Sequence, residues 1–323
     1  MVEIYADNPT TLIKSGLAKL NLRAPEIISS RITQAPDFSY RIPGAVVEEN
    51  IPVLEPQIPV LDIRAGEDIF SHIWTDEHLQ VSYSDTRLNS PNCFAQDKYL
   101  ARDLVWIVMP ILEANRQTNR QFLAHSSAVE RDGRGVVFFG QTHSGKSLLS
   151  GTLGFRYGFN IVGTEHTLLG ENGIEGGSHI MYCSKGLKKF LPELPVEDPV
   201  GEPWSKENRT SLDLREIGKH SSGADISGLV YVSACGSDSD LKVVEWGRRK
   251  TLTEMGDWLR WMINASQTYI HNCESQMPPL DTLEISRKRM TFIEGLVDRG
   301  IRINFIQGPS DQIARTVLKK FYE

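Results

Sequence analysis

Residues 135–153 read GVVFFGQTHSGKSLLSGTL: an apolar run, a loop with glycine at each end, then a run able to form a helix. No other stretch constrains the fold as much. An apolar run without alternation predicts a buried strand. The loop forces that strand directly into a helix, so the unit is strand, loop, helix.

Within it, Gly140-Gln141-Thr142-His143-Ser144-Gly145-Lys146-Ser147 matches the GxxxxGK[ST] pattern in full. At average residue usage such a match arises by chance in roughly one chain in a hundred of this length. Glycines let successive backbone N–H groups curl around an anion, the helix start adds its positive end, and the lysine reaches the outer phosphates. The pattern therefore points to a nucleotide phosphate. Gly140, Gln141, Thr142, His143, Ser144, Gly145, Lys146, Ser147 and Leu148 are the candidate binding residues, and Ser147 the candidate hydroxyl ligand to Mg²⁺. His143 sits at a variable loop position, where a side chain pointing to solvent is expected.

The chain has 323 residues, enough for two domains. A net charge of −6 gives no electrostatic reason for general binding to nucleic acid or to an anionic membrane. The four cysteines form no CxxC pair or metal-spaced cluster. With no apolar run of signal or transmembrane length, reduced thiols and a cytoplasmic location are the expectation.

Residues 1–99 carry no chemical signature. Prolines at 43, 52, 56 and 59 predict short extended pieces, and LQVSYSD a further strand, so a small β-rich N-terminal region is expected. A domain over 100–323 follows. Leu100, Leu104, Val105, Ile107, Val108 and Leu112 recur at helical spacing and predict a helix over 98–115, kinked at Pro110. RQFLAHSSAVER, RDGRG and GVVFFG predict strand, tight turn, strand. The helix from Lys146 ends at Gly158, and FNIVG is a short strand. Residues 185–204, with four prolines, predict an irregular connection. ISGLVYVSA and IRINFIQ read as strands. TLTEMGDWLRWMINA reads as a helix capped by Thr251 and Glu254, RKRMTFIEGLVDRG as a helix closed by Gly300, and the terminal helix as capped by Ser310.

The segment LAHSSAVERDGRGVVFFGQTHSGKSLLSGTLGFRYGFNIVGTEHTLL resembles the core of the HPr serine kinase/phosphorylase family, whose P-loop fold is similar to that of PEP carboxykinases. His125, Gly133 with Gly135, the glycine loop and Gly158 fall in matching places. The resemblance implies an α/β fold: a mixed β-sheet with flanking helices around the P-loop. It also implies an ATP-dependent, Mg²⁺-dependent kinase whose acceptor is a hydroxyl on a protein, peptide or small molecule. Relatives are often oligomers, so a homo-oligomer is an open expectation. The family's paired aspartates are replaced here by Thr164-Glu165, and its C-terminal signature is missing, so HPr itself is not implied as substrate.

By position, Lys146, Glu165 and His125 are the catalytic candidates, with Ser147 and Glu165 as metal ligands. Glu165 would hold the metal or take the acceptor's proton, and His125 or His166 could share the proton work. Alternatives from other classes remain open: a nucleotide-binding regulatory protein that has lost transfer, or an NTPase using water. Lys185, Lys188 and Lys189 form either a solvated patch or a contact for an acidic substrate. Trp258 and Trp261 fit helix core better than a base-stacking platform.

Overall fold

A computed structural model describes the backbone of residues 4–7, 33–34, 39–42, 60–65, 70–74 and 78–83, and residues 113–114, 116–197, 210–236, 239–264 and 281–323. The chain divides into two compact units, Met1–Asn119 with Arg260–Ser286, and Arg120–Leu259 with Arg287–Glu323.

The first unit contains β1 (Ile4–Asp7), β2 (Thr33–Gln34), β3 (Ser39–Ile42), β4 (Val60–Ala65), β5 (Phe70–Trp74) and β6 (His78–Tyr83). They form one sheet in the order β2-β3-β1-β4-β6-β5. Its β1–β4 and β4–β6 pairs are parallel and the others antiparallel. The strand expected in LQVSYSD coincides with β6. The prolines at 43, 52, 56 and 59, and residues 98–112 of the expected helix, lie outside the described residues.

In the second unit β7 (Phe122–Ala124), β8 (Ser127–Arg131) and β9 (Arg134–Phe139) lead through the glycine loop into α1 (Lys146–Arg156). Next come β10 (Asn160–Gly163), β11 (Thr167–Gly170), β12 (Gly173–Gly177), β13 (Ile180–Cys183), α2 (Lys185–Phe190), β14 (Thr210–Asp213) and β15 (Asp225–Ala234). The chain continues with β16 (Lys242–Glu245), α3 (Arg248–Asn264), α4 (Leu283–Asp298), β17 (Ile303–Gly308) and α5 (Ser310–Phe321), of which the end of α3 from Arg260 and the start of α4 to Ser286 are counted with the first unit.

A six-stranded mixed sheet runs β10-β8-β9-β15-β17-β16. Its centre, β9, β15 and β17, is parallel, and its flanks are antiparallel. The unbroken apolar run of β9 is explained by burial on both faces. Val136 and Phe138 pack with Leu149 and Leu153 of α1 and Ile313 and Val317 of α5. Val137 and Phe139 pack with Met255 and Leu259 of α3 and Ile293 and Leu296 of α4. The described fold is thus α/β, with mixed sheets and helices. Smaller antiparallel sheets, β12-β11-β7 and β13-β14, stand beside it. No described helix is long and apolar enough to cross a membrane.

Several boundaries differ from the sequence reading. RQFLAHSSAVER is broken at His125-Ser126 into β7 and β8, which belong to different sheets. Lys185–Phe190 is helical, because the Ser184 side chain accepts from Leu187 N–H at 3.2 Å and Leu187 and Leu191 enter the core. Thr251 lies inside α3 rather than capping it: its hydroxyl donates to Trp246 O (3.3 Å) and accepts from Ile303 N–H (3.4 Å). Ser310 is the first helical residue of α5, with Pro309 at the cap position. Gly300 does close α4, in a left-handed conformation (φ 85°) with its N–H on Val297 O. Trp258 packs on Phe139, whereas Trp261 is exposed.

Leu153 of α1 is fully buried among side chains of the sheet and α5. Leu153→Ala is expected to cost about 3 kcal/mol, read as a lower denaturant midpoint at unchanged slope.

Candidate active site

The site is built where β9 ends. A Cβ at Gly140 (φ 146°) would stand 2.3 Å from Ser144 Oγ and 2.7 Å from Val232 O; one at Gly145 (φ 96°) would stand 2.5 Å from Ala234 Cβ. Glycine is therefore required at both ends of the loop, by the backbone angle and by the approach of β15. Ala234 N–H donates to Ser144 O at 2.8 Å and pins the loop to that strand. Gln141, Thr142 and His143 are exposed. His143 is itself left-handed (φ 66°), an uncommon state for a residue with a side chain.

Lys146 is buried at the start of α1, and its Nζ donates to Gly140 O (2.7 Å) and Gln141 O (3.0 Å). Burial lowers its pKa to about 8, with Glu165 acting in the opposite sense. Glu165, 19 positions further on in sequence, thus stands near enough to act on the lysine charge without forming an ion pair with it. Ser127 Oγ donates to Lys146 O (3.1 Å) and holds the first turn of α1 against β8. Ser147 Oγ lies 3.5 Å from Thr164 O, and Leu148 packs against the core.

The opposite wall is the turn Thr164-Glu165-His166 between β10 and β11. Thr164 is buried, and its hydroxyl faces inward, 2.6 Å from Ile180 O and 3.1 Å from both Ser178 O and Ser178 Oγ. The hydroxyl takes no part in the wall facing the loop, where Thr164 contributes its carbonyl to Ser147. Glu165 is half-buried and its N–H donates to Ser178 Oγ (2.9 Å); the buried His166 N–H donates to the same oxygen (3.1 Å). The turn lies tightly on the end of β12, since a Cβ on Gly177 would stand 2.7 Å from both Gly163 Cα and His166 O.

Pairing of β7 with β11, with Ala124 opposite Thr167, brings His125 to His166, their ring centroids 5.6 Å apart and edge-on. Lys146, Ser147 and Glu165 therefore converge from α1 and the β10–β11 turn, and His125 joins through its ring contact with the neighbour of Glu165. Sequence reasoning missed Ser178, which follows directly on the glycine pair Gly176-Gly177 and belongs to no recognisable motif. It also missed a second pair, His179 and His220, whose ring centroids are 5.8 Å apart. His179 Nε2 lies 3.7 Å from Asp213 Oδ2, and burial holds both imidazoles below their usual pKa. Lys188 is drawn inward, its Nζ donating to Pro192 O (3.1 Å) and Leu194 O (2.5 Å), while Lys185 and Lys189 are exposed.

Oxygen donors at the site, the Ser147 hydroxyl and the Glu165 carboxylate, suit a hard cation such as Mg²⁺. Among the described residues no group of three or more His, Cys, Asp and Glu could hold a metal ion. The free thiol of Cys183 is buried, which pushes its pKa up to about 11, and Cys235 is free and half-buried. No protein-family model matches the sequence, and no curated protein matches it.

The lowered pKa of Lys146 makes a stability prediction. Between about 8 and the ordinary 10.5 the folded chain has released a proton that the unfolded chain retains, so stability rises with pH across that window. Relative to Lys146→Met, the wild type should gain roughly 2 kcal/mol between pH 7.5 and pH 9.5. Paired denaturant titrations at the two pH values check this.

Proposed function

We propose that the second unit is a P-loop nucleotide-binding domain of the HPr kinase-like, PEP-carboxykinase-like type, and that the protein is an ATP-dependent kinase. Its acceptor is a hydroxyl on a protein, peptide or small metabolite. The observation that carries this reading is the convergence of Lys146, Ser147 and Glu165 beside a loop whose end glycines leave its backbone free to cradle an anion.

In this reading Lys146 Nζ exchanges the carbonyls of Gly140 and Gln141 for phosphate oxygens, and the loop amides with the start of α1 hold the β-phosphate. Ser147 and Glu165 would hold Mg²⁺, which when bound neutralises charge on the β and γ phosphates. Glu165 orients the acceptor hydroxyl and takes its proton as the acceptor oxygen bonds to the γ-phosphorus and ADP leaves. His125 and His166 lie beside that proton's exit. Lys146 and the loop amides oppose the charge that spreads over the phosphoryl oxygens.

One observation favours a second reading. Thr164, where the family carries an aspartate, is sealed inside hydrogen bonds to Ser178 and Ile180, leaving Glu165 as the carboxylate of the turn. A site with a single carboxylate also fits a nucleotide-binding regulatory protein without transfer, or an NTPase.

ATP with Mg²⁺ at about a hundred times its dissociation constant should stabilise the chain by roughly 2.7 kcal/mol. That corresponds to a rise in Tm of about 5 °C or more, and Lys146→Ala should abolish it. Labelled γ-phosphate appearing on a hydroxyl acceptor supports the kinase. Stabilisation without product favours the regulatory protein, and phosphate release unaffected by added acceptors favours the NTPase. Absence of any nucleotide-dependent shift in the wild type would overturn all three.

A further inference from the structure

The hydrogen bonds around Ser178 can be given directions. Its Oγ receives two amide protons, from Glu165 N–H (2.9 Å) and His166 N–H (3.1 Å). Both acceptor positions of the oxygen are then in use, and its own proton has two acceptors in reach, Thr164 Oγ1 at 3.1 Å and His166 O at 3.5 Å, of which the nearer takes it. The shortest contact of Thr164 Oγ1 is Ile180 O at 2.6 Å, a carbonyl that can only accept, so the Thr164 proton goes there. The chain of donors is closed: two amides of the turn, then Ser178, then Thr164, then the backbone of β13. Backbone bonds reinforce it, Thr164 N–H to Ser178 O and Ser178 N–H to His166 O, both 3.0 Å. Thr164 and Ser178 are themselves buried, at 1% and 3% exposure, so the network operates away from solvent.

We infer that Ser178, with Thr164 behind it, is the positioning residue of the site: its hydroxyl fixes the Glu165 and His166 amides and thereby aims the Glu165 carboxylate at the metal-nucleotide position. Thr164 is not a vacant aspartate in this arrangement. It orients the serine proton away from the turn, which leaves the serine lone pairs free for the two amides. The inference rests on the nucleotide-binding reading above.

Binding of a nonhydrolysable ATP analogue, titrated calorimetrically with Mg²⁺ and again with EDTA, tests it without need of turnover. The proteins are the wild type, Glu165→Ala, Ser178→Ala, Thr164→Val, Thr164→Ser, and the Ser178→Ala and Thr164→Val changes each combined with Glu165→Ala. Glu165→Ala is expected to remove about tenfold of the affinity that Mg²⁺ adds, and Ser178→Ala and Thr164→Val the same, as for groups that orient a metal ligand. Affinity in EDTA should stay within about twofold, since the loop is untouched, and Thr164→Ser should keep the Mg²⁺ gain. In the Glu165→Ala background neither change should cost anything more.

A Ser178→Ala protein that keeps the Mg²⁺ gain overturns the inference. So does a loss that adds to that of Glu165→Ala, or a Glu165→Ala protein that keeps the gain. If Ser178→Ala does not fold, Thr164→Val, close to threonine in shape, decides by the same comparisons. A wild type that binds the analogue in neither condition overturns the nucleotide reading, and this inference with it; that outcome is distinct from binding that Ser178 leaves unchanged.

Discussion

The second unit depends on one parallel pairing, β9 with β15. Its register sets Leu229 opposite Val137 and Tyr231 opposite Phe139, so β9 stops while β15 continues to Ala234. The overhanging residues Val232–Ala234 form the floor on which the glycine loop lies. That floor dictates glycine at 140 and 145, because any Cβ there would meet Val232 O, Ser144 Oγ or Ala234 Cβ. The same register delivers Phe138 and Phe139 to opposite helical layers, so core and loop are set by one alignment. Sliding it by one residue would exchange the faces of the strand and lift the loop from its floor.

Local chemistry was legible in the sequence to the extent that neighbouring residues determine it. The buried strand, the glycine loop and the first helix follow from contiguous residues, and the structure has β9 and α1 at those positions. What could not be read depends on distant partners. The hydroxyl of Thr251 resembles a helix cap in sequence, but it accepts from Ile303 N–H, 52 residues away. The break at His125-Ser126 exists because β7 finds its partner in β11 and β8 finds its own in β9 and β10, pairings that no local pattern encodes. Ser178 was invisible for the same reason: its role is defined by a turn 13 residues earlier.

Ser147 stands at the start of a helix packed into the main sheet, whereas Glu165 stands on a turn shared between that sheet and the β12-β11-β7 sheet. The relative position of the two sheets therefore governs whether hydroxyl and carboxylate meet. At this point Ser147 meets Thr164 O, Ser178 beside β12 holds the turn through Glu165 N–H and His166 N–H, and Thr164 reaches on to Ile180 of β13. Thr164 thus serves there as a clamp.

The loop itself gathers unfavourable features that the surrounding scaffold offsets. His143 occupies a left-handed conformation, Ser144 Oγ is buried without a hydrogen-bond partner, and Lys146 carries a buried ammonium satisfied by two loop carbonyls. Each costs of order 1–3 kcal/mol in general, and they fall within four consecutive residues. A rigid, fully packed strand before the loop and a core helix after it are what hold such a sequence in place. An anion received in the loop would give Lys146 a charged partner in place of neutral carbonyls and reverse the burial penalty on its proton. Unfavourable local chemistry on a strongly packed scaffold would therefore couple the binding of any such anion to the stability of the unit.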